Sequence, residues 1–219
     1  MISLGMATIP PRKDTLERVL DSLVGQVDEV FLALNYGVIE PPKYLDNYDN
    51  VFWWVNSQNL GDSQKFAMAH NVEGYYISAD DDLIYPPDFV ERLIQGIDKY
   101  DGVCSFHGRT YPRPFESFMK WDDNYRCLGN VFTDQRADLL GTGCMGFHTS
   151  RLKVSISDFK YPFMADCYLS LLAHQQNVPM WVLKHTSSDF IHIPYKETIW
   201  RSQARDTSKQ TAILKECLK

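Results

Sequence analysis

Three consecutive aspartates, Asp80, Asp81 and Asp82, stand between the apolar run Gly74 to Ser78 and the pair Pro86-Pro87. Concentrating like charge in one turn is unfavourable unless a cation or hydrogen-bond donors compensate. Hard divalent cations such as Mn²⁺ and Mg²⁺ take carboxylate oxygens and commonly keep phosphate ligands as well. With residues 80 and 82 both reaching a cleft, the spacing suits an ion that neutralises a diphosphate while a bond to it breaks, as Lewis acid and template. The structural alternative is a solvated turn in which one Asp caps the next helix. A phosphatase-type use of the aspartates fits less well, because such motifs follow the first strand and carry a Thr that is missing here.

The elements around the triplet give it a rim to stand on. Ile2 to Ala7 reads as a short buried strand, stopped by Pro10-Pro11. A helix follows from Asp14 or Thr15, with Leu16, Val19, Leu20 and Leu23 at helical spacing up to Gly25. Glu29 to Leu34 is a second strand, which makes the strand–helix–strand signature of a parallel sheet. Val51 to Val55 and Gly74 to Ser78 are further strands, with a helical stretch over Asp62 to His70 between them. Pro86-Pro87 opens a helix through Phe89, Leu93, Ile94 and Ile97, and Gly102 to Phe106 returns to strand. Arg109 to Leu140 has weak periodicity and reads as an excursion over the active face. A helix over Phe163 to Gln176, a strand over Met180 to Leu183 and a final helix over Ser208 to Leu218 complete the reading. Sites in open α/β sheets lie beyond the carboxyl ends of the strands, so Asn35, Asp80 to Asp82 and His107 are expected along one rim.

The chain of 219 residues is expected to form one α/β domain, a mixed, mostly parallel sheet flanked by helices. A net charge of −6 argues against a polyanion partner for the whole surface. The five cysteines include no CxxC pair, which argues against structural zinc and a disulfide framework. No apolar run reaches the length of a membrane span and no signal peptide is evident, so the expected compartment is the cytoplasm, with the inner membrane face as a peripheral option.

Several segments recur together in a known group: Met6-Ala7-Thr8-Ile9-Pro10-Pro11-Arg12, Gln26-Val27-Asp28 with Leu34-Asn35, Gly61-Asp62-Ser63-Gln64-Lys65-Phe66, DDDLIYPPDFVE from Asp80, His107-Gly108, and Leu140-Gly141-Thr142-Gly143. In this order they resemble the small bacterial GT-A glycosyltransferases related to the α-N-acetylglucosaminyltransferase of heparosan-type capsule synthesis. The likeness covers about the first 185 residues. It implies a GT-A (Rossmann-like, nucleotide-diphospho-sugar transferase) fold, with a nucleotide-sugar-binding half over residues 1–106 and an acceptor-binding half with the C-terminal tail over 107–219. It also implies a metal-dependent transfer of a hexosyl or N-acetylhexosaminyl group from a UDP-sugar to a glycan hydroxyl, beside partner enzymes of a polysaccharide pathway. Asp80 and Asp82 then match the DxD pattern of nucleotide-sugar transferases.

Carried over residue by residue, the resemblance places Ala7, Thr8, Arg12, Asn35, Asp62, Lys65, Asp80 and Asp81 on the donor. Arg12 suits a diphosphate through its bidentate fork. Asp62 would meet base or ribose and Lys65 a phosphate; a helix cap and a surface lysine are the bland alternatives. Asp80 and Asp82 would hold Mn²⁺ or Mg²⁺. His107 and Gly141-Thr142-Gly143 would lie beneath the sugar and acceptor, and Asp166 would be the acceptor-side carboxylate, a general base in an inverting enzyme. In a retaining one it would position the acceptor or stabilise positive character on the sugar ring. The third metal ligand is expected to be His192, with His185 as the alternative. His192-Ile-Pro-Tyr-Lys196-Glu-Thr-Ile-Trp200 resembles the His…Lys-x-x-Trp ending of glycogenin-like transferases with one extra residue.

Two rivals remain in the sequence. A phage-type transferase acting on hydroxymethylated DNA would use Arg109, Arg113, Lys120, Arg126 and Arg136, interleaved with Tyr111, Phe115, Trp121 and Tyr125, as a groove. A non-catalytic sugar- or metal-binding module would use the same residues without cleaving a donor. A nucleotidyltransferase lacks support, because Met6 to Arg12 contains no glycine for its phosphate loop.

Overall fold

The computed structural model describes residues 1–35, 37, 40–195 and 206–218. In chain order the elements are β1 (Ile2–Thr8), α1 (Lys13–Asp21), β2 (Glu29–Leu34), β3 (Val51–Val55), β4 (Tyr75–Ala79), β5 (Leu83–Ile84), α2 (Phe89–Tyr100) and β6 (Val103–Ser105). There follow β7 (Gly108–Arg109), β8 (Asn124–Tyr125), β9 (Gln135–Arg136), β10 (Leu139–Leu140) and β11 (Cys144–His148). The chain continues through α3 (Ala165–Gln175), β12 (Met180–Val182), β13 (Ile191–His192) and α4 (Ser208–Lys215).

β1 and β4 are buried almost continuously, the pattern of strands covered on both faces. They lie inside an eight-stranded sheet of order β3-β2-β1-β4-β11-β6-β12-β9. β1 pairs in parallel with β2 and β4, β2 with β3, and β12 with β6; β11 runs antiparallel to both β4 and β6. The sheet is therefore mixed and mostly parallel, with helices on both faces. α1 and α2 lay Leu16, Leu20, Phe89 and Leu93 against Leu4, Met6 and Leu32. On the other face α3 brings Leu169 and Ala173 against Tyr76, Met145 and Phe147. The excursion forms a three-stranded sheet, β10-β7-β8, and its Tyr111, Phe115 and Phe118 pack with α3 and α4 through Tyr168, Ile213 and Leu214.

Two expectations are corrected here. The stretch Asp62 to His70 is two 3₁₀ turns, Asp62–Phe66 and Ala69–Asn71, in place of one helix. The first turn lies directly on β1: a Cβ on Gly5 would meet the Lys65 backbone and the Tyr76 hydroxyl, so only glycine lets the two backbones approach this closely. The second correction is β11, where the sequence suggested only the loop before it. No helix of the described residues is long and apolar enough to cross a membrane.

Candidate active site

The strand order reverses between β1 and β4: the chain winds from β1 out to β2 and β3, then crosses back to β4. Open α/β sheets part at such a switch point, and the crevice lies at the carboxyl ends of the strands. The end of β1 delivers Thr8 to this crevice, the 3₁₀ turn after it delivers Arg12, and the turn after β4 delivers Asp80, Asp81 and Asp82.

The three carboxylates divide their roles. Asp81 turns into the protein, is buried, and is salt-bridged to the Arg12 guanidinium, whose Nη2 also lies 3.1 Å from Asp82. The expected donor contact of Asp81 is thus replaced by an internal anchor for Arg12. Asp80 is paired with the Lys65 ammonium and keeps 42% of its side chain exposed. Burial would lift the Asp80 carboxyl, yet Lys65, then Arg12 and His107, outweigh it and hold its pKa below the ordinary range. Asp82 has less compensation: burial and then the neighbouring Asp80 charge push it up to about 7.

Lys65 is fully enclosed, which excludes the surface-lysine reading. Burial opposes its charge, but Asp80 and Asp62 together hold its pKa above the usual value. Asp62 is pushed up to about 6, chiefly by burial, with Asp166 and Asp80 adding to the rise and Lys65 opposing it. One Asp62 oxygen accepts from the Ala165 N–H at the start of α3 (3.4 Å), and the other makes no hydrogen bond.

The Gly141-Thr142-Gly143 loop closes the other side. Thr142 donates its N–H (2.8 Å) and its hydroxyl (2.7 Å) to one oxygen of Asp166, in the first turn of α3. Gly143 lies flat against Asp80, where a Cβ would stand 2.6 Å from the Asp80 Cγ. The His107 ring packs over Gly141. The structure thus brings Thr8, Arg12, Asp62, Lys65, Asp80, Asp82, His107, residues 141–143 and Asp166 to one crevice.

The sequence pattern of Glycosyl transferase family 2 matches residues 11–158. The chain belongs to that family. No match is found among the curated proteins. Among solved structures the family 2 chain is similar in fold to S. aureus TarS 1-349 (TM-score 0.51, 17% identity, 85% of this chain and 58% of that one). It is similar also to the same protein in complex with UDP-GlcNAc (TM-score 0.56, 14% identity, 92% and 60%). The chain spans about 60% of the TarS structures. It also resembles 2-C-methyl-D-erythritol 4-phosphate cytidylyltransferase from Thermus thermophilus (TM-score 0.50, 11% identity, 94% and 97%). At these identities the likeness is one of fold.

Other expected residues of the family 2 domain lie elsewhere or do other work. Both amide ends of Asn35 are engaged within the protein: Nδ2 donates to the Gly61 carbonyl (3.2 Å), and Oδ1 accepts from Asn56 (2.9 Å) and the Leu60 N–H (3.4 Å). It fixes the loop leading to Asp62. Ala7 is the last but one residue of β1, paired with Ala33. His185 is buried with Nδ1 2.7 Å from the Leu183 carbonyl and Nε2 2.9 Å from that of Arg126. With both nitrogens committed, it is a structural histidine and no metal ligand. His192 is exposed on β13, paired with Leu83 beside Asp82. Lys196 and Trp200 of the tail comparison lie outside the described residues.

The proposed DNA groove is also redrawn. Arg109 is buried over Phe118 and Trp121, Arg113 is bound to Asp138, Lys120 to Glu116, and Arg136 lies over Trp181. Arg109 is thus buried away from any groove, whereas Arg113 and Lys120 are exposed in surface pairs and Arg136 is exposed beside Trp181.

Two residues escaped the sequence reading. The buried Tyr85 hydroxyl accepts from the Asp80 N–H (2.7 Å) and donates to the Gly143 carbonyl (2.6 Å), clasping the acidic turn to the glycine loop. Its position three residues past the triplet was the available signal. Tyr195 lies 4.9 Å from the Arg12 guanidinium and hydrogen-bonds Thr15, a contact across 180 positions that no local pattern marks.

Among the described residues no three His, Cys, Asp or Glu side chains are arranged to hold a metal. Asp80 and Asp82 nevertheless fit an ion of the Mg²⁺ type, which takes one or two carboxylates and completes its shell with phosphate oxygens and water. The raised pKa of Asp82 comes first from burial and then from the Asp80 charge, which Arg12 offsets only in part.

Proposed function

We propose that this domain transfers a hexosyl or N-acetylhexosaminyl group from a UDP-sugar to a glycan hydroxyl, with Mn²⁺ or Mg²⁺ held by Asp80 and Asp82. The observation that carries the reading is the crossing of Arg12 and the aspartate triplet at the β1/β4 switch point. It puts cations for a diphosphate and carboxylates for a divalent ion in one crevice. Family membership and the UDP-GlcNAc complex of TarS support a nucleotide-sugar donor.

In this reading Thr8 and Arg12 meet the nucleotide and its phosphates, Asp62 meets the nucleoside, and the enclosed Lys65 holds Asp80 in place from behind. Asp80 and Asp82 would hold the ion, which would supply charge neutralisation for the departing diphosphate. Thr142 aims Asp166 through its two hydrogen bonds, leaving the second oxygen to take the proton of the acceptor hydroxyl as it attacks the anomeric carbon and UDP leaves. His107 and the glycine loop line the sugar side.

The test is a thermal-shift panel of UDP, GDP, CMP and UDP-sugars, each with and without Mn²⁺, followed by UDP release with candidate glycans. A shift with UDP that requires Mn²⁺ is expected, since a ligand of the native state stabilises it by mass action. Absence of a shift with every nucleotide and metal overturns the reading.

A further inference from the structure

The two edges of the main sheet are protected very differently. At one edge β9 has only two residues, Gln135 and Arg136, with Arg136 drawn over Trp181. At the other, β3 is the five-residue run Val51-Phe52-Trp53-Trp54-Val55, without a charge, a proline or a bulge. Among the described residues it pairs with β2 alone. Phe52 is 53% exposed, Trp53 40% and Val55 39%. Natural sheets shorten, charge or cover their edges because an open edge is a template for another strand.

The backbone of β3 shows how such a strand would pair. The Asn50 carbonyl accepts from the Val30 N–H and the Asn56 N–H donates to the Leu34 carbonyl, each at 2.8 Å. Along a strand these groups alternate in direction, so residues 52 and 54 also face β2. The N–H and C=O of Val51, Trp53 and Val55 therefore point away from the sheet.

The sequence of the strand reads nearly the same in both directions about Trp53. A two-fold axis through Trp53 sets Val51 opposite Val55 of a second copy, Trp53 opposite Trp53, and Phe52 opposite Trp54. The outward-facing residues 51, 53 and 55 become the hydrogen-bonded pairs. Phe52 and Trp54 become the closer non-hydrogen-bonded pairs, where cross-strand aromatic contacts contribute most. At the flanks Asn50 meets Asn56 and Asp49 meets Ser57, so no like charges oppose.

We propose that β3 is a homodimerisation edge: two copies of this chain join antiparallel about Trp53, merging their sheets through an isologous contact. β3 lies two strands away from the β1/β4 crevice, so each copy keeps its own site open. The partner is a second copy because the residue order and the outward hydrogen-bond pattern are both symmetric about Trp53.

Sedimentation velocity over a range of concentrations tests this with the full chain. The unmodified protein should sediment at twice the chain mass. Trp53→Lys and Trp53→Glu each place like charges on the axis and should sediment as monomers, with unchanged circular dichroism. Mixing the two variants should restore a dimer, because Lys then faces Glu. A wild-type protein that stays monomeric, with the edge left to some other partner, overturns the proposal. So does a Trp53→Lys dimer, or a mixture of the two variants that stays monomeric.

Discussion

Gly143 presses its bare Cα against the carboxylate of Asp80, so closely that a methyl group there would overlap it. This contact joins the glycine loop to the acidic turn, and Tyr85 clasps the same two residues from behind. Gly143→Ala should therefore displace Asp80 while leaving the sheet intact. The expected result is a tenfold or larger rise in the Mn²⁺ concentration needed for the UDP thermal shift, on the order of the 1.4 kcal/mol that separates tenfold affinities. Unchanged metal dependence would remove Asp80 from the site.

Tyr85→Phe deletes the hydroxyl that serves the Asp80 N–H and the Gly143 carbonyl. The Asp80 N–H keeps its second acceptor, the Gly143 carbonyl at 3.1 Å, so the loss is that of ordinary hydrogen bonds, about 0.5–1.5 kcal/mol each. A fall in urea-unfolding free energy of that size should accompany weaker metal dependence of UDP binding.

Lys65→Met should destabilise the domain near pH 7.5, by less than the roughly 3–5 kcal/mol of a fully buried pair because the Asp80 side chain is 42% exposed and water screens its charge. In the native protein Asp80 has a lowered pKa, so its pairing stabilises above the unfolded pKa and that contribution fades as pH falls. The gap between wild type and variant in urea melts should persist down to about pH 4 and narrow below it. A gap independent of pH would assign the loss to packing.

Asp62 carries the opposite sign. Its folded pKa of about 6 lies above the unfolded value, so the native state binds the extra proton and stability falls as pH rises from about 4 to 6. Asp62→Asn should then raise stability at pH 7.5 by about 1–3 kcal/mol, a few degrees in Tm, with little effect at pH 4. Under the proposed function the same variant weakens UDP binding. Equal melting of variant and wild type at pH 7.5 would show that the carboxyl is not strained by burial.

Asp166→Asn should lower turnover by about 100-fold or more while UDP affinity changes little, as expected for loss of a positioned base. Thr142→Ala should lower kcat about fivefold, since the Thr142 N–H still holds Asp166 when the hydroxyl is gone. A loss confined to KM in Asp166→Asn would move this carboxylate out of proton transfer.

Much of the fold was legible in the sequence. β1, β2, β3 and α2 announce themselves through unbroken apolar runs or helical spacing, and the Asp triplet follows β4 as expected. β11 did not, because Cys-Met-Gly-Phe-His has neither alternation nor a β-branched residue. It is a strand because β4 and β6 offer it hydrogen-bonding edges on both sides, and Gly146 leaves room for Ile77. The 62–70 segment failed differently: its spacing suits a helix, but contact with Gly5 on β1 holds it in 3₁₀ turns.

The sequence by itself determined the parallel βαβ start and the carboxylates at a strand end, since periodicity and residue chemistry act over a few positions; the glycine loop and Asp166 stand out only through the family resemblance. Only the tertiary structure decided which charges meet. It turned Asp81 inward to Arg12, enclosed Lys65 beside Asp80, committed Asn35 to the loop before Asp62, and spent both nitrogens of His185 on carbonyls. Charge pairing and burial depend on groups far apart in the chain, and the fold alone brings those groups within a few ångströms.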